Sequence, residues 1–431
     1  MTSASDHAMA AAALTARATV ITAVLFSTTA CNEPIDVATG EIALTVITTG
    51  VDIDAHGYSV RVAPGSNRRI GPTETIRCPD SCPASTRCPG GPRTHFAVAG
   101  NGAVLFSAVP VGRHALSLDE VPPNCDAHDG FVRHVSVLSG DTIEVVFQLV
   151  CVQATPLAYV VPAADGAADI AIVTSNGTGE RLLTTHHAWD GDPAWSPARS
   201  RIAFASERDG NREIYVMGED GSDPVRLTHH SAHDHSPAWS PDGQRIVFVR
   251  DRTTDVIGGD LWTMNADGSN ARRLTALAFD NDAFDADPVW SPDGAMIAFT
   301  RFERALNPAV YRMNDDGSGV TRLSPVGYLE RNPAWSADGT RLALARQICA
   351  FGDYGCYDAI VITAVIGGQL TIPLVAGTEP AWSADGRHIA YAALACDNFF
   401  LQCQPGGIRI IRADGFSDFG LAIAGAGPVW R

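Results

Sequence analysis

The chain has 431 residues and a formal net charge of −17, with 31 Lys and Arg against 48 Asp and Glu. That balance makes nucleic acid and anionic membrane surfaces poor partners, since both repel an acidic protein. Hydrophobic residues make up 45% of the chain, enough for the cores of two domains. Outside one short N-terminal run, no apolar stretch approaches the ~20 residues that a membrane-spanning helix needs.

Taken from the N-terminus, Ala18 to Ala30 form a 13-residue apolar run after Arg17, too short to span a bilayer and of signal-peptide length. A start at Met9 would remove Asp6 from this leader. The run ends in Thr28-Thr29-Ala30-Cys31, followed by Asn32-Glu33-Pro34. This resembles the lipobox of bacterial lipoproteins, in which the cysteine is acylated and becomes the mature N-terminus, although Thr28 stands where leucine is usual. Residues 1–31 therefore read as a signal peptide ending at the lipidation site Cys31. The expected address is the bacterial cell envelope, as a membrane-anchored lipoprotein facing the periplasm or the exterior. A soluble secreted or periplasmic protein is the alternative.

Residues 36–152 carry alternating apolar segments at 41–47, 58–62, 103–107, 114–118, 133–137 and 142–149. Six or seven short strands within ~100 residues predict a small β-sandwich. The turn Val109-Pro110-Val111-Gly112-Arg113-His114-Ala115-Leu116 is similar to the Pro-x-Gly-x-x-x-Leu turn of carboxypeptidase-regulatory-like and PEGA-type envelope domains. The likeness rests on one turn and on strand spacing, and it implies a spacer or adhesive module.

From Asp192 onward a Pro-x-Trp motif returns six times, with tryptophans at 195, 239, 290, 335, 382 and 430, at steps of 44, 51, 45, 47 and 48 residues. A period of roughly 40–50 residues with a fixed aromatic signature predicts β-propeller blades of four antiparallel strands. One unit reads as strands at 193–196, 201–206, 213–217 and 225–228, joined by turns such as Ser240-Pro241-Asp242-Gly243 and Glu219-Asp220-Gly221-Ser222. In these turns Pro presets φ and Gly supplies a positive φ. Segments at 157–161, 169–173 and 180–184 match strands two to four, whereas 428–430 matches strand one alone. The expected fold is thus all-β, a six-bladed β-propeller over 155–431 with C-terminal strand closure, plus the small N-terminal β-sandwich.

The succession Pro-x-Trp-Ser-Pro-Asp-Gly, Arg-Ile-Ala-Phe, Ile-Tyr-Val-Met, Asp-Gly-Ser and Arg-Leu-Thr resembles the WD-like repeat of TolB-type propellers. The resemblance covers about 155–431 and implies a propeller of the bacterial envelope. It implies less about activity, since one fold serves many tasks.

Cysteine placement points to an oxidising compartment. Cys349 and Cys356 lie in the loop between strands two and three of one repeat, and Cys396 and Cys403 lie in the same loop of the next. Cys125 and Cys151 flank the last two strands of the sandwich. All six are expected in disulfides. Cys78, Cys82 and Cys88 allow one pair and one remainder, and a zinc site there lacks a fourth ligand.

No Gly-x-Ser-x-Gly elbow, His-Glu-x-x-His or Walker loop is present, so no catalytic residue is assigned and no cofactor is expected. Six histidines cluster in two equivalent loops: His186 and His187, then His229, His230, His233 and His235. With the acids Asp190, Asp192, Asp234, Asp280, Asp282 and Asp285 nearby, they could hold a divalent transition metal, as some uronate-cleaving propeller lyases do. The competing explanation is a polar loop variant. The residues before each Pro-x-Trp, namely Asp192, Ser236, Asp287, Asn332, Glu379 and Gly427, are equivalents near the expected channel mouth. Three acids there would attract cations or basic peptide segments, or would simply brace the neighbouring blade. The chain thus reads as a monomeric, non-enzymatic envelope lipoprotein whose propeller binds a protein or peptide, with the sandwich as spacer. The alternative is a metal-dependent polysaccharide lyase or hydrolase built on the histidine loops.

Overall fold

The computed structural model describes residues 20–23, 39–50, 58–64, 95–98, 103–119, 121–127, 130–163, 167–253, 256–277, 283–303, 307–349, 356–365, 374–396, 403–415, 418–421 and 423–431. Cys31, Cys78, Cys82, Cys88, Asp280 and Asp282 lie outside the described residues. The chain divides into two compact units, Met1–Val121 with Cys125–Val152, and Pro122–Asn124 with Gln153–Arg431.

The first unit contains β1 (Val20–Ala23), β2 (Thr39–Gly50), β3 (Tyr58–Pro64), β4 (His95–Val98), β5 (Ala103–Pro110), β6 (Gly112–Asp119), β7 (Cys125–Ala127), β8 (Val132–Val137) and β9 (Thr142–Cys151). They form a five-stranded sheet, β1-β5-β2-β9-β7, and a four-stranded sheet, β4-β3-β6-β8. Along β9, Val145, Phe147, Leu149 and Cys151 are buried while Val146, Gln148 and Val150 are exposed, the period of two expected of a half-buried strand. Ile42, Leu44, Phe106 and Phe147 of the larger sheet share one core with Leu116, Leu118 and Val137 of the smaller. Two pairings are parallel, β1 with β5 and β2 with β9. A disulfide joins Cys125 to Cys151, its directly opposite neighbour.

The second unit begins with β10 (Pro156–Pro162), β11 (Ala168–Thr174) and β12 (Arg181–Leu182). It continues with β13 (Asp190–Trp195), β14 (Arg201–Ser206), β15 (Glu213–Gly218) and β16 (Val225–Arg226). Then follow β17 (Asp234–Trp239), β18 (Arg245–Thr253), β19 (Val256–Asn265), β20 (Arg272–Arg273), β21 (Phe284–Trp290), β22 (Met296–Glu303), β23 (Asn307–Asn314) and β24 (Thr321–Arg322). The last are β25 (Glu330–Trp335), β26 (Arg341–Cys349), β27 (Cys356–Ala364), β28 (Val375–Trp382), β29 (His388–Cys396), β30 (Cys403–Arg412), β31 (Asp418–Gly420) and β32 (Ala426–Trp430).

Hydrogen bonding corrects the expected six-bladed propeller. The strands fall into four sheets rather than six: β12-β11-β10-β32, β13 to β16, an eight-stranded sheet from β17 to β24, and a seven-stranded sheet from β25 to β31. None of these sheets closes on itself into a barrel. The fourth strands β12, β16, β20 and β24 are only two residues long, so they leave much of the third strand's edge open. In the eight-stranded sheet β19 uses that edge to pair with β21 at Gly259 and Asp285. In the seven-stranded sheet β28 takes both roles, pairing with β27 through Val375 and Ala376 and with β29 further along. The C-terminal β32 pairs antiparallel with β10, Leu157 opposite Trp430 and Ala158 opposite Val429.

Strand two is buried on both faces in β14, β18 and β26, with large side chains on one and Ala or Val on the other. Ile202 and Phe204 pack with Ile170 and Leu183 of the preceding sheet. Ala203 and Ala205 instead receive Trp239, Ile246 and Phe248 of the following one. The same arrangement sets Trp335, Leu342 and Leu344 against Ala298 and Val310. Burial of an aromatic or branched side chain contributes roughly 1.5–3 kcal/mol.

The turn motif has a mechanism in side-chain bonds. Ser240 Oγ donates to Asp242 Oδ1 at 2.6 Å, and Asp242 Oδ1 accepts the Gln244 N–H at 3.0 Å. Ser291 with Asp293, Ser336 with Asp338 and Ser383 with Asp385 repeat this bond. The Ser336 hydroxyl and the Thr340 N–H and hydroxyl hold Asp338 down at about 2. In the Asp-Gly-Ser turns, Gly221, Gly268 and Gly317 have φ of 88°, 85° and 93°. A Cβ on them would also meet the carbonyl oxygens of Leu183, Leu227 and Leu274 at 2.5–2.7 Å. These turns therefore require glycine for conformation and for clearance.

Four of the six first strands carry an acid at or next to their start, paired with an arginine on or just beyond the second strand: Asp190 with Arg208, Asp234 with Arg250, Asp285 with Arg301, and Glu330 with Arg346. The first three acids are 0% exposed and bound through both oxygens, at 3.0 Å, 2.6 Å and 2.7–2.9 Å. Burial pushes Asp234 and Asp285 above the usual carboxylate range even beside their arginines. Removing one partner leaves a desolvated charge. Arg301→Ala is expected to lower unfolding free energy by about 3–5 kcal/mol in urea titration, and Arg301→Met with Asp285→Leu to lower it by far less. Deleting residues 427–431 removes the β10–β32 pairing and Trp430, whose Nε1 donates to the Ala381 carbonyl at 2.9 Å. Calorimetry of that truncation should show a loss of at least about 3–5 kcal/mol, the scale for a packed tryptophan.

Candidate partner-binding site

The six residues preceding Pro-x-Trp share one unusual conformation. Asp192, Ser236, Asp287, Asn332, Glu379 and Gly427 have φ of 51°, 49°, 51°, 51°, 54° and 58°. Register shifts interrupt the pairing of β13, β17, β21, β25 and β28 at this point, as between Gly191 and Ala194 or between Thr378 and Ala381. A bulge of this kind leaves residues out of the ladder and re-aims a side chain. Asp and Asn tolerate the left-handed region better than most residues, which accounts for their frequency here. The first strands touch in cyclic succession, β13 to β17, β21, β25, β28, β32 and back to β13, so the six positions face a common space.

Some of these side chains brace a neighbour. Asp192 Oδ2 accepts the Ser236 N–H at 3.0 Å, and Glu379 Oε2 accepts the Gly427 N–H at 2.6 Å. Asn332 donates its N–H to Thr300 Oγ1 at 3.0 Å. The acids also sense one another. Burial raises Asp287 above the usual range; Asp192 adds to the rise, while Thr300, His235 and Arg331 oppose it. Burial likewise raises Glu379, with Asp287 and Asp192 adding and the Gly427 N–H and Arg331 opposing. Bracing and convergence thus coexist, in three carboxylates at partly solvent-accessible positions.

The sequence pattern places His235 only among the candidate metal-holding histidines and does not single out Arg331, although both lie beside these acids. His235 and Arg331 each stand one residue before a site position, and that placement was the available signal. His235 Nδ1 lies 3.0 Å from Ser236 Oγ and Nε2 lies 3.2 Å from Asp251 Oδ1. Burial opposes protonation of His235, but Asp251 and Asp192 outweigh it and raise its pKa. Arg331 is ion-paired with Asp358.

The other histidines are placed separately, two of them bonded within their own loops. His186 Nδ1 accepts the Ala188 N–H and His230 Nδ1 the Ala232 N–H, both at 3.1 Å, as equivalent local turns. His233 Nδ1 accepts the Arg212 N–H at 3.0 Å. His187 and His229 are exposed. Among the described residues no group of three or more His, Cys, Asp or Glu is placed to hold a metal ion. A cavity of about 220 Å³ next to one histidine loop is lined by Leu183, Thr184, His186, Arg208, Met217 and Pro224, among others.

Comparison with known proteins agrees with the repeat. Residues 129–278 match the family model described as the TolB β-propeller domain. Over 80 residues the chain is 35% identical to the Tol-Pal system protein TolB of Alcanivorax borkumensis, which covers 19% of this chain and 18% of that protein. The match thus spans under a fifth of that relative's length. The crystal structure of TolB from Acinetobacter baumannii aligns with a TM-score of 0.52 and 22% identity, over 64% of this chain and 66% of that one, which shows similarity of fold. An oligogalacturonate lyase in complex with manganese aligns at a TM-score of 0.45 and 12% identity, over 72% and 80% of the two chains, too loosely to bear on function. Residues 129–278 are thus similar to the TolB β-propeller domain.

Proposed function

We propose that the repeat unit is a non-enzymatic binding module of the cell envelope. It takes a protein or peptide partner through a basic segment at Asp192, Asp287 and Glu379. The carrying observation is that these three positions lie on first strands touching in cyclic succession, with Asp192 close enough to disfavour ionisation of Asp287, and both close enough to disfavour that of Glu379. A cationic side chain entering there relieves that opposition and gains in a partly desolvated setting. Similarity to a protein named for the Tol-Pal system supports a role in protein assembly. Residues 36–152 serve as a spacer between this unit and the N-terminus.

Asp287→Asn with Glu379→Gln tests the site. Isothermal titration with a lysine-rich decapeptide at low salt should show affinity reduced at least tenfold in the double variant. For the native protein, affinity should fall as ionic strength rises, because screening shortens the reach of exposed charge. Equal affinity in both proteins would remove these acids from the site.

The address follows from the leader. We propose export with processing at Cys31 and acylation there, each buried CH₂ contributing ~0.8 kcal/mol to membrane affinity. A soluble periplasmic or secreted protein is the alternative, and among the described residues no helix is long and apolar enough to cross a membrane. Mass spectrometry of the mature N-terminus should find an acylated Cys31; an unmodified N-terminus would establish the soluble form.

A further inference from the structure

Three disulfides join directly opposite residues of antiparallel strands: Cys125–Cys151, Cys349–Cys356 and Cys396–Cys403. Their surroundings differ. Cys125 and Cys151 are 5% and 2% exposed within the core of the first unit, and they are 26 residues apart in sequence. Cys349 and Cys356 are exposed and Cys396 and Cys403 half-buried, each pair only seven residues apart.

The two repeat-unit bonds occupy equivalent places. Arg346 pairs with Glu330 and Cys349 follows three residues later; Ala393 pairs with Gly377 and Cys396 follows three residues later. Glu330 and Gly377 each stand two residues before a site position, Asn332 and Glu379. Both bonds therefore tie the ends of long hairpins, beyond the point where β25 and β28 enter the candidate site.

We propose that Cys349–Cys356 and Cys396–Cys403 are paired sites of reversible thiol–disulfide exchange, open to a dithiol reductant, whereas Cys125–Cys151 is a closed structural bond. A thiolate of the dithiol attacks one accessible Sγ and breaks the S–S bond, and the departing sulfur takes a proton. The second thiol of the reductant then resolves the mixed disulfide. Two electrons pass to the protein, giving two cysteine thiols, and the reductant leaves as its disulfide. Access sets the rate of the first step, because the attacking sulfur must reach the bond from solvent. Closure of a short loop adds little conformational protection, whereas the 26-residue separation of Cys125 and Cys151 and their burial in the core add more. The strands that the hairpin pairs join remain held by ladders extending from Arg341 opposite Ala364 and from His388 opposite Arg412, so opening the bonds leaves the sheets paired.

The test is redox titration of the full chain in dithiothreitol buffers, with acid quenching, alkylation and peptide mass spectrometry, and circular dichroism at each point. Both hairpin bonds should open with unchanged circular dichroism, at an equilibrium constant at least tenfold more favourable to reduction than that of Cys125–Cys151, about 30 mV for two electrons. They should also open at least tenfold faster. Co-reduction of all three bonds, opening of Cys125–Cys151 first, or loss of the spectrum as the hairpin bonds open would each overturn the proposal. In Cys125→Ser/Cys151→Ser the hairpin potentials should be unchanged; a shift would show that the bonds open only through global unfolding.

Discussion

The second unit depends on the packing of large residues of one sheet onto small residues of the sheet before it. Trp239, Ile246 and Phe248 on Ala203 and Ala205, and Trp335 and Leu342 on Ala298, are two instances. In β14, strand two of its repeat, Ile and Phe alternate with Ala, so its two faces accept different neighbours. A sheet whose faces are both buried in this way cannot stand alone. It needs a neighbour on each side, which makes every repeat conditional on the next and β32 conditional on β10.

That packing explains why backbone hydrogen bonding does not respect the repeat. Side chains supply the contact between consecutive repeats, so the outer strands are free to stay short, as with β12, β16, β20 and β24. The edges left over join where geometry allows, at Gly259 and Asp285 or through the dual strand β28. The resulting four sheets are a consequence of where the third strand's edge remains accessible. The period of the sequence alone carries no information about that edge.

At the inner ends, a bulge with one left-handed residue recurs in every first strand. It turns an acid at 192, 287 or 379 out of the ladder, while in β13 and β21 the acid two residues earlier, Asp190 or Asp285, stays buried on its arginine. Neighbouring carboxylates of one strand thus meet opposite fates. One is neutralised within its own sheet, and the other faces a space shared with its equivalents.

The all-β character, most strand positions and the Ser-x-Asp-Gly turns were legible in the residues, because each rests on local periodicity or on side chains two to five positions apart. The cysteine spacing likewise placed three disulfides in hairpins or neighbouring strands. The division into four sheets, the parallel pairing of β2 with β9, and the buried partners of Asp190, Asp234 and Asp285 were decided only in three dimensions. So were the proximity of His235 and Arg331 to the acids and the separate engagements of the clustered histidines. Those features depend on which strand edge stays open and on which charges lose water together. Both are set by contacts between segments 16 to 212 residues apart, which no local pattern of the chain encodes.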